Sequence, residues 1–207
     1  MGFRDAVLAA AAPPLCAACR RPCALEAVVC ERCARRLERS QPLLGAGPPG
    51  ADRAWSAASH DGVARELVVA LKFRRLLPVA EAMAARIHDL APPHLLSGTV
   101  VPVPPAPARQ RRRGFDPAGE LAVALAARAE LPLAPCLSRA SGRRQVGRGR
   151  AGRLGSPPRV GATEPAPRSV LLVDDVLTTG ATVSACAQAL RAAGAARVVA
   201  VTFARRL

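Results

Sequence analysis

From Ser169 the chain reads Ser-Val-Leu-Leu-Val, and continues Asp174-Asp175-Val176-Leu177-Thr178-Thr179-Gly180-Ala181-Thr182. An apolar run without polar alternation suits a strand buried on both faces, as in the middle of a parallel sheet. The residues after it change character at once, to two carboxylates, two hydroxyls and a glycine. A helical pattern then runs from Gly180 to Ala193 and stops at Gly194. This is a strand, a tight loop and the first turn of a helix. In open parallel sheets, ligands bind at that end of the strand.

The chemistry of the loop narrows the ligand. A phosphate at a helix start meets free amide N–H groups and the positive end of the helix dipole. Thr178, Thr179 and Thr182 add hydroxyl donors, and Gly180 lets the backbone come close. Asp174 and Asp175 repel a phosphate, so they suit sugar hydroxyls or a divalent cation beside it. Phosphate on one side and a diol on the other describes a ribose 5-phosphate. Other phosphate loops fit worse: there is no Gly-x-x-x-x-Gly-Lys-[Ser/Thr], and the only lysine is Lys72. The plain alternative is an Asp-rich turn with a helix cap.

The rest of the chain supplies a matching frame. Helical patterns cover Val63–Phe73 and Val79–Leu90, and 98–103 reads as a short buried strand broken at Pro104. A Pro/Arg-rich loop is expected from there to Gly114. Asp116-Pro117 is an N-cap followed by proline at the first helical position, with a helix to about Glu130. Residues 139–160 have no apolar periodicity and read as a mobile basic loop. Arg197–Phe203 is a β-branched strand. Alternating strands and helices predict an α/β fold, an open parallel sheet with flanking helices. The expected boundaries are a cysteine module at 1–40, a Pro/Gly-rich linker at 41–52 and the sheet domain at 53–207.

Five of the seven cysteines fall between Cys16 and Cys33. The odd total argues against a disulfide framework and for a metal in a reducing cytoplasm. Cys16-x-x-Cys19 and Cys30-x-x-Cys33 can place four thiolates on one zinc, and an all-sulfur site is structural. Cys23 is an alternative ligand, and unmetallated thiols are the other reading. Cys136 and Cys186 look like small core residues.

Charge points to an anionic partner. The net charge is +15, and residues 105–160 hold 12 Arg against Asp116, Glu120 and Glu130. With no Tyr and a single Trp, a platform for stacking bases is nearly absent. No apolar run is long enough for a membrane span. The first fifteen residues read as a short helix packed on the cysteine module, not as an export signal. His60, His88 and His94 share no spacing with a base or metal partner and are expected at the surface.

Several segments together resemble the ComF-type (competence protein F) family of the type I phosphoribosyltransferase fold. They are the N-terminal Cys-x-x-Cys pair, Leu71-Lys72-Phe73, Val101-Pro102-Val103-Pro104 with Arg109, Arg113, Gly114 and Phe115, the segment with Gln145, Gly147, Arg150 and Arg153, and the loop VDDVLTTGAT. The sequence departs from that family at Asp116-Pro117 (usually Asn-Gln), at His60 (commonly Tyr) and at Ala106 (often His). The resemblance implies phosphoribosyl pyrophosphate as ligand. Asp174 and Asp175 would be the catalytic pair and contact the ribose hydroxyls, with Mg²⁺. Residues 176–182 (Val176, Leu177, Thr178, Thr179, Gly180, Ala181, Thr182) would hold the 5-phosphate. Val103, Pro104, Arg109 and Arg113 would face the pyrophosphate, and Arg143, Arg144, Gln145 and Arg150 would belong to a flexible closing loop. It further implies phosphoribosyl transfer to a nitrogen base or amine, or a role in DNA uptake with the uptake machinery as partner. Single-stranded DNA is a further expected partner of the basic segments.

Overall fold

The computed structural model describes residues 14–139 and 158–206. The expected N-terminal helix, the residues Arg143, Arg144, Gln145, Arg150 and Arg153, and most of the basic 139–160 segment lie outside them.

Five strands form the main sheet: β1 (Leu43–Ala46), β2 (Arg53–Ser59), β3 (Thr99–Pro102), β6 (Ser169–Leu177) and β7 (Arg197–Arg205). Their spatial order is β1-β2-β7-β6-β3. All neighbours run parallel except β1, which pairs antiparallel with β2 at the edge. The expected α/β architecture is therefore present. A separate antiparallel ribbon joins β4 (Leu137–Arg139) to β5 (Val160–Ala162).

Helices cover both faces because the central strands are apolar on both. On β6, Leu171 and Val173 enter one core while Val170 and Leu172 enter the other. The first core receives α1 (Glu31–Glu38) through Cys33, α2 (Gly62–Arg74) through Leu67 and Leu71, α3 (Pro78–Leu90) through Met83 and Ile87, and α5 (Pro117–Arg128) through Leu121 and Leu125. The second receives α6 (Ala181–Ala192) through Val183, Cys186 and Leu190, and the ribbon through Leu137. Cys136 and Cys186 are buried core residues, as expected. Inside the sheet, Ser56 and Thr202 are register partners whose hydroxyls lie 2.7 Å apart, and Thr202 Oγ1 also donates to the Ala204 carbonyl at 3.1 Å.

Three expectations need correction. Residues 41–52 are not a free linker: they contain β1, and Ser184 Oγ donates to the Pro49 carbonyl at 3.0 Å. The stretch from Pro104 to Gly114 is not all loop. Pro107–Arg113 forms a helix, α4, started by proline at its first turn and ended by Gly114 in the left-handed region (φ 76°). Its arginines are good helix formers, but the segment buries no residue, so no apolar period announced it. β6 also runs past Val173 to Leu177, so the two aspartates lie within the strand and not beyond it. Among the described residues no helix is long and apolar enough to cross a membrane.

Candidate functional site

The C-terminal ends of β3 and β6 open into a cleft of about 240 Å³. Asp174, Asp175, Val176, Thr178 and Thr182 line it from the β6–α6 connection. Val103, Pro104, Arg109 and Arg113 line it from the β3–α4 side. The two groups are far apart in sequence. They meet because β3 and β6 are parallel neighbours, with Pro102 opposite Val173.

The β6–α6 loop has the geometry of an anion cradle. Gly180 is in the left-handed region (φ 76°), and a Cβ there would stand 2.8 Å from Pro48 Cγ. Only glycine meets both conditions without strain. The Ser184 amide donates to the Gly180 carbonyl at 2.8 Å, so the amides before it stand at the helix start, where intrahelical acceptors are lacking. Thr179, Gly180 and Ala181 shape this turn, while Thr178 and Thr182 present hydroxyls to the cleft.

The two carboxylates are not equivalent. Asp174 is half-buried, and its Oδ1 accepts the Asp175 amide at 2.8 Å. Burial pushes its carboxyl well above the ordinary range, the Asp175 charge adds to this, and Lys72 opposes it. Asp175 is buried and ion-paired: its Oδ1 lies 2.7 Å from Lys72 Nζ. Of the two, only Asp174 is partly open to solvent.

Lys72, His60, Asp116 and Arg139 also line the cleft and were not among the expected site residues. His60 is half-buried here and not simply on the surface. Burial lowers its pKa, and the charges of Lys72 and Arg65 lower it further. Asp116 caps α5 by accepting the Ala118 amide at 3.1 Å, and burial raises its pKa against the pull of the Gly119 and Ala118 amides. The signal for Lys72 was available, as the single lysine of the chain within Leu71-Lys72-Phe73.

Arg113 lies against an aromatic ring at the cleft wall. Its guanidinium carbon stands 4.9 Å from the centroid of the Phe73 ring, within cation–π range. Its buried Nε has no hydrogen-bond partner among the described residues. Burial lowers the Arg113 pKa, as does neighbouring Arg109, and both effects favour an incoming anion. Arg109, Arg111 and Arg112 are exposed on the same short helix.

Away from the cleft, the sulfurs of Cys16, Cys19, Cys30 and Cys33 all lie within 4.8 Å of one another. A tetrahedral zinc with bonds of about 2.3 Å requires sulfurs roughly 3.8 Å apart, and Cys19 Sγ and Cys30 Sγ are 3.7 Å apart. The four thiols therefore fit a metal such as zinc. Burial opposes ionisation of Cys16, yet the Cys19, Cys30 and Ala18 amides bring its thiol down to about 6. Cys23 is outside the cluster and donates instead to the Pro14 and Ala27 carbonyls at 3.4 and 3.3 Å.

A mostly parallel sheet with a glycine-bearing loop at a strand end, faced by a basic helix, defines an α/β protein of the kind whose strand ends commonly receive phosphorylated ligands. Residues 111–207 match the family model described as the phosphoribosyl transferase domain. Over that span the chain is similar to a phosphoribosyl transferase domain, and β1, β2, β3 and Lys72 lie before it. No curated protein matches the chain.

Proposed function

We propose that the cleft binds phosphoribosyl pyrophosphate with Mg²⁺, and that the chain is a phosphoribosyltransferase of the ComF type. One observation carries this reading: Thr178 and Thr182 of the β6–α6 loop and Arg113 line a single cleft that also holds Asp174 and Asp175. The cradle receives the 5-phosphate, the carboxylates accept hydrogen bonds from the ribose hydroxyls, and Arg109 and Arg113 face the pyrophosphate. In transfer, the bond from the anomeric carbon to pyrophosphate breaks and a bond to a nitrogen acceptor forms. Charge then grows on the leaving oxygens, where fixed cations stabilise it most. Asp174 and Asp175 would hold Mg²⁺, which supplies further neutralisation of the pyrophosphate when bound.

Calorimetric titration with phosphoribosyl pyrophosphate and Mg²⁺ tests the reading. Wild type should bind, and Thr179→Arg should not, because the new side chain fills the phosphate position. Equal binding by both proteins rules the assignment out. The resemblance to ComF-type proteins extends the proposal to a cytoplasmic role in DNA uptake, which loss of transformation in a deletion strain would test.

The row of exposed arginines on α4 favours a second activity, sequence-independent binding of single-stranded DNA. Affinity should fall steeply with salt and vary little with base composition. A salt-insensitive result removes this second activity without touching the first.

A further inference from the structure

We infer that Lys72 is a positioning residue that makes the acid pair a reader of sugar hydroxyls and not a free-standing cation site; this rests on the ribose-phosphate reading above. Two adjacent carboxylates at the end of a buried strand have three ways to relieve their repulsion: protonation, a bound dication or an internal cation. Here the internal cation is present. Lys72 Nζ lies 2.7 Å from Asp175 Oδ1, with the two side chains 22% and 5% exposed.

The ammonium is set by a helix, not by a loop. Lys72 stands in the last turn of α2, whose Leu67, Val68 and Leu71 are buried in the core. Its neighbour Phe73 stacks on Arg113. One helical turn therefore fixes a carboxylate on one side of the cleft and a guanidinium on the other. The residue type matters as well. The chain uses Arg at 29 of its 30 basic positions, and its one Lys is here. An ammonium is a compact point charge that occupies one carboxylate oxygen, whereas a guanidinium fork would take both. Asp175 thus keeps its second oxygen as acceptor capacity for a hydroxyl.

Even with Asp174 ionised, the trio of Asp174, Asp175 and Lys72 carries only one net negative charge. A dication gains little from such a site alone, and it enters with the oxygens of the bound pyrophosphate. Replacing Lys72 by a neutral residue exposes a bare diacid, which takes a dication without ligand and presents Asp175 less well to a sugar.

The full chain as wild type, Lys72→Met and Lys72→Arg should be titrated calorimetrically with ribose 5-phosphate and with inorganic phosphate, without divalent cation. Mn²⁺ binding should be followed by electron paramagnetic resonance without ligand. The ratio of the two affinities isolates the sugar contribution, which a general loss of positive charge or of packing would not move. The expected result is a fall in that ratio of about tenfold or more in Lys72→Met, matching one charged hydrogen bond, and partial recovery in Lys72→Arg. Mn²⁺ should bind Lys72→Met and not wild type. An unchanged ratio in Lys72→Met overturns the proposal, and so does tight Mn²⁺ binding by wild type, even should the variant fail to fold. If wild type shows no preference for ribose 5-phosphate over phosphate, the ribose-phosphate reading itself falls.

Discussion

Arg74 Nη2 donates to the Ala17 carbonyl at 2.6 Å and to the Glu66 carbonyl at 3.1 Å. Ala17 lies between the first two cysteines of the cluster, and Arg74 is two residues from Lys72. The cysteine module is thereby tied to the helix that supplies the cleft with its ammonium.

Metal removal should therefore destabilise more than the module. Purified protein should contain one zinc per chain, and Cys30→Ser with Cys33→Ser should lose it. Metal affinity in such a site contributes directly to folding. The variant should melt at a lower temperature, and hydrogen exchange should speed up in α2 as well as around the cysteines. Full zinc retention by the double variant would rule out the four-cysteine site.

Asp174→Asn should stabilise the protein at neutral pH while weakening ligand binding. The folded state raises the Asp174 pKa, so the native protein holds a proton that the unfolded chain has already released. Stability from this group is full below the unfolded pKa and declines as pH rises through the folded value. The gain from the variant should appear above that window and vanish in acid. Thermal melts from pH 3 to pH 8 check it, and a gain that grows toward low pH would contradict it.

Asp175→Asn should do the opposite. It leaves Lys72 facing a neutral amide at the cleft wall, and orphaning one partner of a buried pair is costly. Because Lys72 keeps some contact with water, the loss should be about 2 kcal/mol, below the range for fully buried pairs. A double-mutant cycle with Lys72→Met should recover much of it. Additive effects in denaturant unfolding would show that the two side chains do not act as a pair.

Thr202→Val should cost about 1–2 kcal/mol, because it strips a buried hydroxyl of its bond to Ser56 and leaves Ser56 Oγ without that partner. Ser56→Ala combined with Thr202→Val should be less harmful than the sum of the single variants. Chemical denaturation of the three proteins measures this.

The loop and its flanking elements were legible in the sequence because several signals agree there. The apolar run of β6, Gly194 after α6 and the β-branched β7 each follow a local rule. Asp116-Pro117 announces α5 in the same way. β2 was not legible: Ala54, Ala57 and Ala58 have little strand preference, and the segment is a strand because β7 pairs with it. α4 lacked an apolar face to read. The pairing of Lys72 with Asp175 joins residues on a helix and a strand far apart in the chain, and no local pattern encodes it. The same holds for His60, which reaches the cleft because its amide continues the β2–β7 pairing onto the Arg205 carbonyl at 2.7 Å.

The strand order has a consequence for synthesis. β2 and β6 never touch as neighbours, since β7 lies between them. Until β7 is free of the ribosome, the chain can form only two sheet fragments, β1-β2 and β6-β3, each with an edge that β7 later covers. Bare edges are templates for pairing with other chains. The nascent protein should thus be a chaperone client until residues 197–205 emerge and close both edges together. A substitution that weakens β7 should reduce soluble yield more than it lowers the melting temperature of the protein that does fold.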